Sequence, residues 1–505
     1  MIPGGQRSAN LVLVNFFYFF IIAVFAAIIL LRCYLAYSSS FWCDELGWIL
    51  PNSGSVSNMV KFVLTEPGPL GFLEPVTVHF ISKLFLFLGF HPHLALRVEP
   101  IFISLMTSFL PFFLDSATKK EKVLWLLWSL FSVPISWASL NFRPNGGLIF
   151  FAACLMFASL NFFRSNQSLS KKSWALYLIG LTGVLYHPYV FFPLVASLFT
   201  ILFSRPCNTM KRKIIAMHFI TIIVMCVWYF YLRSPVGYGE WSWTDFFAHL
   251  RNASWVQVAA ETVRSLISLG VSFKIALPFY IIGFLFLWRE SRQFVIYVLL
   301  STMLSILGPF VLSLKYKYFF VPRQALAALP CIGWALVYCM NELWAMRKQF
   351  ALLILPILLA AIFVVLVPFV KWALRIPPYF DVPHYRIEQA LNASPLKLAR
   401  RIIVLSSCHV GSVNLYFNKL EFENFFEKYK RNQVAQIMRS DHILQWTIDD
   451  ISCSGVIPEL TDNNEIKLLL KANSKDIALI APEGVKVPKS VRLLPCRTET
   501  NKMCL

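Results

Sequence analysis

Adjacent carboxylates, Asp44 and Glu45, stand in the segment FWCDELGWIL, among Phe41, Trp42, Leu46 and Trp48. A carboxylate in a partly apolar setting next to a polar substrate is partly desolvated, which suits it to accept a proton as a general base. The plainer alternative is a solvated loop acid. Cations follow along the chain: Arg97 in LALRVEP, Arg143 in NFRPNGG, and Lys315, Lys317 and Arg323 in KYKYFFVPRQALAALP, with His187 in LYHPYVFF. Singly, an arginine at a helix mouth snorkels to headgroups, a lone histidine is structural, and basic residues beside tyrosines anchor a helix at an interface. Gathered on one face, two acids and a set of cations suit transfer of a group off a phosphate. The acid activates the nucleophile, and the cations meet the charge that grows on the departing phosphate.

The elements that must position these residues are membrane helices. Charged residues make up 14% of the 505, against 57% hydrophobic, where a soluble chain carries about 25% charged. Charge-poor runs recur at the roughly 20 residues that cross a hydrocarbon core. The first, Leu11 to Leu30, has a basic flank at Arg7 and no cleavage site, and reads as a retained signal anchor. Others fall near 97–116, 123–140, 146–163, 174–187, 189–204, 214–232, 274–288, 295–313, 324–341 and 350–370. These make about eleven crossings.

With the N-terminus inside, the expected inner loops are all basic: Lys119 to Lys122, Arg164 to Lys172, Arg205 to Lys213, Arg289 to Arg292, and Arg347 with Lys348. The expected outer segments hold Asp44, Glu45, Glu66, Glu74, Glu99, Glu240, Asp245 and Glu261. Every candidate site residue falls on this outer side. The first outer loop spans about 36–96, and within it Val76 to Phe90 is helix-like, too short to cross and carries Lys83, so it is expected to lie along the interface. The formal net charge of +20 is accounted for by inner loops and lipid phosphates, not by nucleic acid.

After residue 371 charges become frequent and no run could span a bilayer, so residues 372–505 are expected to form a small extracytoplasmic α/β domain behind a transmembrane domain of 1–371. RIIVLSS (Arg401 to Ser407) and DIALIAP (Asp476 to Pro482) read as buried strands, and Phe422 to Met438 as a helix. Seven of the 11 cysteines precede this domain, several inside apolar helices, where cysteine acts as a small hydrophobe. Cys408, Cys453, Cys496 and Cys504 would be outside, with all three pairings open. No metal-site spacing, GxGxxG or P-loop occurs, so no cofactor has a visible seat, although a divalent metal stays open.

At these residues the chain resembles the GT-C membrane glycosyltransferases, in particular the group containing the protein O-mannosyltransferases and the lipid A aminoarabinose transferases. The matching features run in order along the membrane domain. They are the acidic pair Asp44 and Glu45, then Arg97 opening a helix, Arg143 with Pro144, His187, and Arg323 in VPRQALAALP. The pattern's tyrosine after Arg-Pro is Asn145 here, Pro188 follows the histidine, and Gln324 follows the last arginine. Those departures bear on which sugar and acceptor are used.

The resemblance implies inverting transfer from a polyprenyl-phosphate sugar to a hydroxyl of an envelope glycan, lipid or protein, in a bacterial inner membrane. Asp44 would be the base, Glu45 its neighbour in orientation, and Arg97, Arg143, His187, Lys315, Lys317 and Arg323 would bind substrate. Hydrolysis is not indicated, because glycosidase carboxylates flank the bond from opposite sides. The rival class is a transporter or flippase of a lipid-linked saccharide, which would bury ionisable residues near the bilayer midplane. Here the runs are expected to be nearly free of charge.

Overall fold

A computed structural model of the chain describes residues 22–37, 56–65, 71–141, 145–165, 170–204, 209–228, 273–316, 322–346 and 351–374, together with short strands at 401–404, 443–445 and 477–480. The helices are α1 (Ile22–Tyr37), α2 (Val56–Thr65), α3 (Leu73–Phe87), α4 (Pro92–Phe109), α5 (Lys119–Phe131), α6 (Val133–Leu140) and α7 (Asn145–Arg164). They continue with α8 (Lys171–Tyr186), α9 (Phe191–Leu202), α10 (Thr209–Cys226), α11 (Phe273–Glu290), α12 (Arg292–Tyr316), α13 (Leu329–Met346) and α14 (Ala351–Ala373). Each apolar run expected from residue 97 onward carries a helix. Among the described residues five helices are long and apolar enough to cross a membrane, or six if the bent pair α5 and α6 is one span. Others are short: at 1.5 Å per residue the 16 residues of α8 reach only about 24 Å.

Local chemistry sets the boundaries. Thr118 and Glu121 form a capping box at the start of α5, the hydroxyl accepting from the Glu121 amide and the carboxylate from the Thr118 amide. Between α3 and α4 the chain reverses through a Schellman turn. Gly89, at φ 81°, donates to the Leu86 carbonyl, Phe90 donates to Phe85, and the Phe85 and Phe90 rings meet at 5.0 Å. Only glycine adopts that φ at little cost. Pro92 then opens α4, where a missing amide hydrogen costs nothing.

The helix α7 is the centre of the bundle, with 83% of its apolar window buried, whereas α14 has 33% buried and lies at the edge. A helix that is apolar all round belongs inside. The close approach of α7 to α8 depends on Gly180 and Gly183, where a β-carbon would come within 2.8 Å of Leu155 and 2.4 Å of Phe151. Trp125, Phe157 and Trp334 knit α5, α7 and α13, with ring centroids 4.8 to 5.9 Å apart. The outward surface is apolar too: Leu359, Ile362, Phe363, Val367 and Val370 of α14 are exposed, as lipid-facing side chains are.

One end of this bundle is tied by Arg164, at the end of α7. Its guanidinium pairs bidentately with Glu121 at 2.7 and 3.2 Å, reaches Glu290 of α11 at 2.6 Å, and lies 5.9 Å from the rings of Trp334 and Tyr338 on α13. Four helices therefore converge on one side chain. Beyond α14 the described residues are three strands, β1 (Arg401–Val404), β2 (Ile443–Gln445) and β3 (Ile477–Ile480), all parallel in the order β2-β1-β3. Two of them lie where the sequence places strands. The helix expected at 422–438 lies outside the described residues.

Two boundary expectations are corrected. The first helix runs on to Tyr37, past the expected limit at Leu30, and α4 begins at Pro92, five residues before Arg97. Arg32 thereby falls within a helix, and it is buried together with Arg97 and Glu99, which lie inside the run expected at 97–116, so the expectation of helices nearly free of charge fails. The expected first run stops short of Arg32, whereas backbone hydrogen bonding carries a helix through a charge that has a partner.

Candidate functional site

At the end of the bundle opposite Arg164, the Schellman turn at Gly89 aims α4 back along α1. The His91 ring meets the Tyr37 ring edge-on at 4.9 Å, and burial lowers the His91 pKa below the usual imidazole value. Six residues further on, within α4, Arg97 is fully buried and donates to the backbone carbonyl of Ala36 at 2.8 Å. It does not snorkel to a headgroup. That bond fixes the end of α1, from which the segment carrying Asp44 and Glu45 departs.

Beside it lies a buried polar cluster. Glu99 of α4 accepts a hydrogen bond from the Tyr186 hydroxyl at 2.5 Å, while the Thr77 hydroxyl of α3 donates to the backbone carbonyl of Glu74 at 3.0 Å. Glu74 of α3 is buried and acts electrostatically on Tyr186. Tyr186 is seated by two glycines. A β-carbon on Gly71 would lie 2.0 Å from the Tyr186 carbonyl oxygen, and one on Gly147 would lie 1.9 Å from its ring. Segments far apart in sequence thus meet on one tyrosine, at its backbone, ring or hydroxyl: the α3 approach, α4, the start of α7 and the end of α8.

His187, directly after Tyr186, is half-buried and caps the next turn, its Nδ1 accepting from the Tyr189 amide at 3.2 Å. The 3-10 helix that follows, Pro188–Val190, packs against the 3-10 helix Pro322–Ala328 that carries Arg323. Lys315 lies on the last turn of α12, which also packs against that helix. The fold therefore brings Arg97, His187 and the backbone segments of Lys315 and Arg323 to one end. Asp44, Glu45, Arg143 and Lys317 lie outside the described residues.

Reading the residues in sequence missed Glu99 and Tyr186 as site components, although both flank residues that were singled out. The signal available was a carboxylate two residues after Arg97 and a phenol one residue before His187. It becomes legible only once the end of α8 is known to bring the Tyr186 hydroxyl to Glu99 of α4.

Comparison with protein-family models, curated proteins and solved structures returns no match for this chain. The chemistry of the site is therefore argued from its own residues. A fully buried guanidinium, two buried carboxylates, a phenol and an imidazole at one end of an apolar bundle make a preorganised polar surface of low dielectric, where each charge acts strongly.

Proposed function

We propose that this chain is an integral membrane glycosyltransferase that moves a sugar from a polyprenyl-phosphate donor to a hydroxyl on an envelope glycan, lipid or protein. In this reading about eleven helices cross the membrane, the Arg97 end is extracytoplasmic, and a small α/β domain follows on the same side. The observation that carries it is the meeting of Arg97, His187 and the segments of Lys315 and Arg323 at one end of the bundle, beside the exit of α1 toward Asp44 and Glu45. A donor with a long polyprenyl tail accounts for a catalyst set in hydrocarbon, since the tail stays in lipid while the sugar is exchanged at the surface.

In the step, Asp44 takes the proton of the acceptor hydroxyl as that oxygen forms a bond to the anomeric carbon, with Glu45 orienting the acceptor. The bond between that carbon and the phosphate oxygen breaks, and its electron pair leaves with the lipid phosphate. Arg97, Arg143, His187, Lys315, Lys317 and Arg323 supply the binding and the positive field that the phosphate needs. Inversion follows from the single displacement.

The test is Asp44→Asn, which keeps size but cannot accept the proton. General-base catalysis contributes about 100- to 10,000-fold, so transfer by purified variant should collapse while membrane level holds. A variant that keeps more than about a tenth of the wild-type rate contradicts the assignment.

The rival reading is a transporter. His218, buried with Nδ1 2.5 Å from the Tyr177 hydroxyl, lies near the inner end of the expected 214–232 span, not at the midplane where carriers place ionisable groups. Vesicles holding the protein and a labelled polyprenyl-phosphate sugar separate the two: translocation of intact donor without glycosylated product supports transport.

A further inference from the structure

The span predicted at 123–140 is not one helix. It breaks at Ser132 into α5 and α6, which are bent by 55°. The cause is Pro134: it has no amide hydrogen, so the carbonyl of Leu130, four residues back, loses its helical donor. Inside an apolar bundle an orphaned carbonyl is expensive. Its replacement partner comes from α1. Arg32, with no exposed surface, donates from Nη2 to the Leu130 carbonyl at 3.1 Å and to Ser136 Oγ at 3.1 Å, and Ser136 Oγ itself points to the same carbonyl at 3.4 Å. One guanidinium nitrogen thus bridges both halves of the broken span. Arg32 Nε and Nη1 have no hydrogen-bond partner among the described residues, so the arginine is held there chiefly by the break it closes.

We propose that Arg32 is a positioning residue: by standing in for the donor that Pro134 removes, it holds the bend between α5 and α6 and so sets where the chain leaves α6 toward Arg143. Every residue of α6 is buried, and its C-cap, Asn141, is two residues before Arg143. The direction of α6 therefore decides where that segment emerges. The positioning clause rests on the glycosyltransferase reading; the clamp itself does not.

Four variants test it: R32L, R32K, P134A and R32L/P134A, each purified and measured for thermal midpoint and for transfer from undecaprenyl-phosphate hexoses and pentoses. R32L should lower both midpoint and transfer, and R32K, which keeps a donor, should lose less of each. P134A returns an amide hydrogen to Leu130, so R32L/P134A should recover the wild-type midpoint. It should not recover transfer, because the bend is gone. Misplacement by about an ångström costs on the order of 100-fold in rate, so transfer should stay below about a tenth of wild type.

Recovery of transfer together with stability would reduce Arg32 to a structural cap and overturn the positioning role. An R32L midpoint equal to wild type, or a double variant no more stable than R32L, would overturn the clamp. If wild-type protein transfers none of these sugars, the functional reading and the positioning role fall together, while the melting temperatures still decide the clamp.

Discussion

Tyr186 and Arg97 are buried at the same end of the bundle, and each gives its hydrogen bond to an oxygen on a different helix. Arg97 serves a backbone carbonyl of α1, and Tyr186 serves the carboxylate of Glu99. Removing a donor from a buried acceptor costs the acceptor's desolvation, about 1–3 kcal/mol. Tyr186→Phe, which keeps the ring against Gly147 and deletes only the hydroxyl, should therefore lower stability in detergent by about that amount. A melting curve superimposable on wild type would show that the Glu99 carboxylate does not depend on the phenol. At this scale the sequence exposes Arg97 and His187 by type and context. It does not reveal that Arg97 turns inward, because the direction of a side chain on a helix is decided by which neighbour packs there.

At the scale of elements, α3 is amphipathic in the inverse sense. Glu74, Val78, His79 and Ser82 are buried, while Phe80, Leu84, Phe87 and Leu88 are exposed, Phe87 at 87%. A polar inner face and an apolar outer face fit a helix whose outside is lipid. Tryptophan in place of Phe87 should be quenched by lipids brominated near the headgroup; emission unaffected by such lipids would place α3 in water. The position of this helix is readable from its composition and the turn at His91 and Pro92. The break at Pro134 is not, since proline is equally at home in the first turn of a helix and only the surrounding packing distinguishes that from an interior kink. Strands β1 and β3 stand out as apolar runs, whereas β2 is three residues, Ile443–Gln445, too few to show a period of two.

For the whole molecule, the two ends differ in kind. One packs four segments around Tyr186 beside the buried carboxylates of Glu74 and Glu99, and the other is drawn together by Arg164, Glu121 and Glu290 beside aromatic rings. The Arg164 network ties together the ends of α5, α7 and α11. On the proposed topology, in which the basic loops are inside, the Arg164 end faces the cytoplasm. A reporter active only in the cytoplasm, fused after Leu505, should then be silent; strong activity there would overturn the orientation and the side assigned to the site.

The Arg32 bridge spans 98 residues of chain, and in a growing polypeptide that separation is a delay. At about 5–20 residues per second, α1 waits for several seconds with its arginine before Leu130 is made. During that interval Arg32 lies little more than one turn from the end of α1, near enough for its side chain to reach headgroup water. The first helix can thus enter the membrane with its charge hydrated and surrender that hydration only when the proline break arrives to receive it. On the proposed membrane topology, the order of synthesis bears on a buried arginine at this position as much as the final packing does.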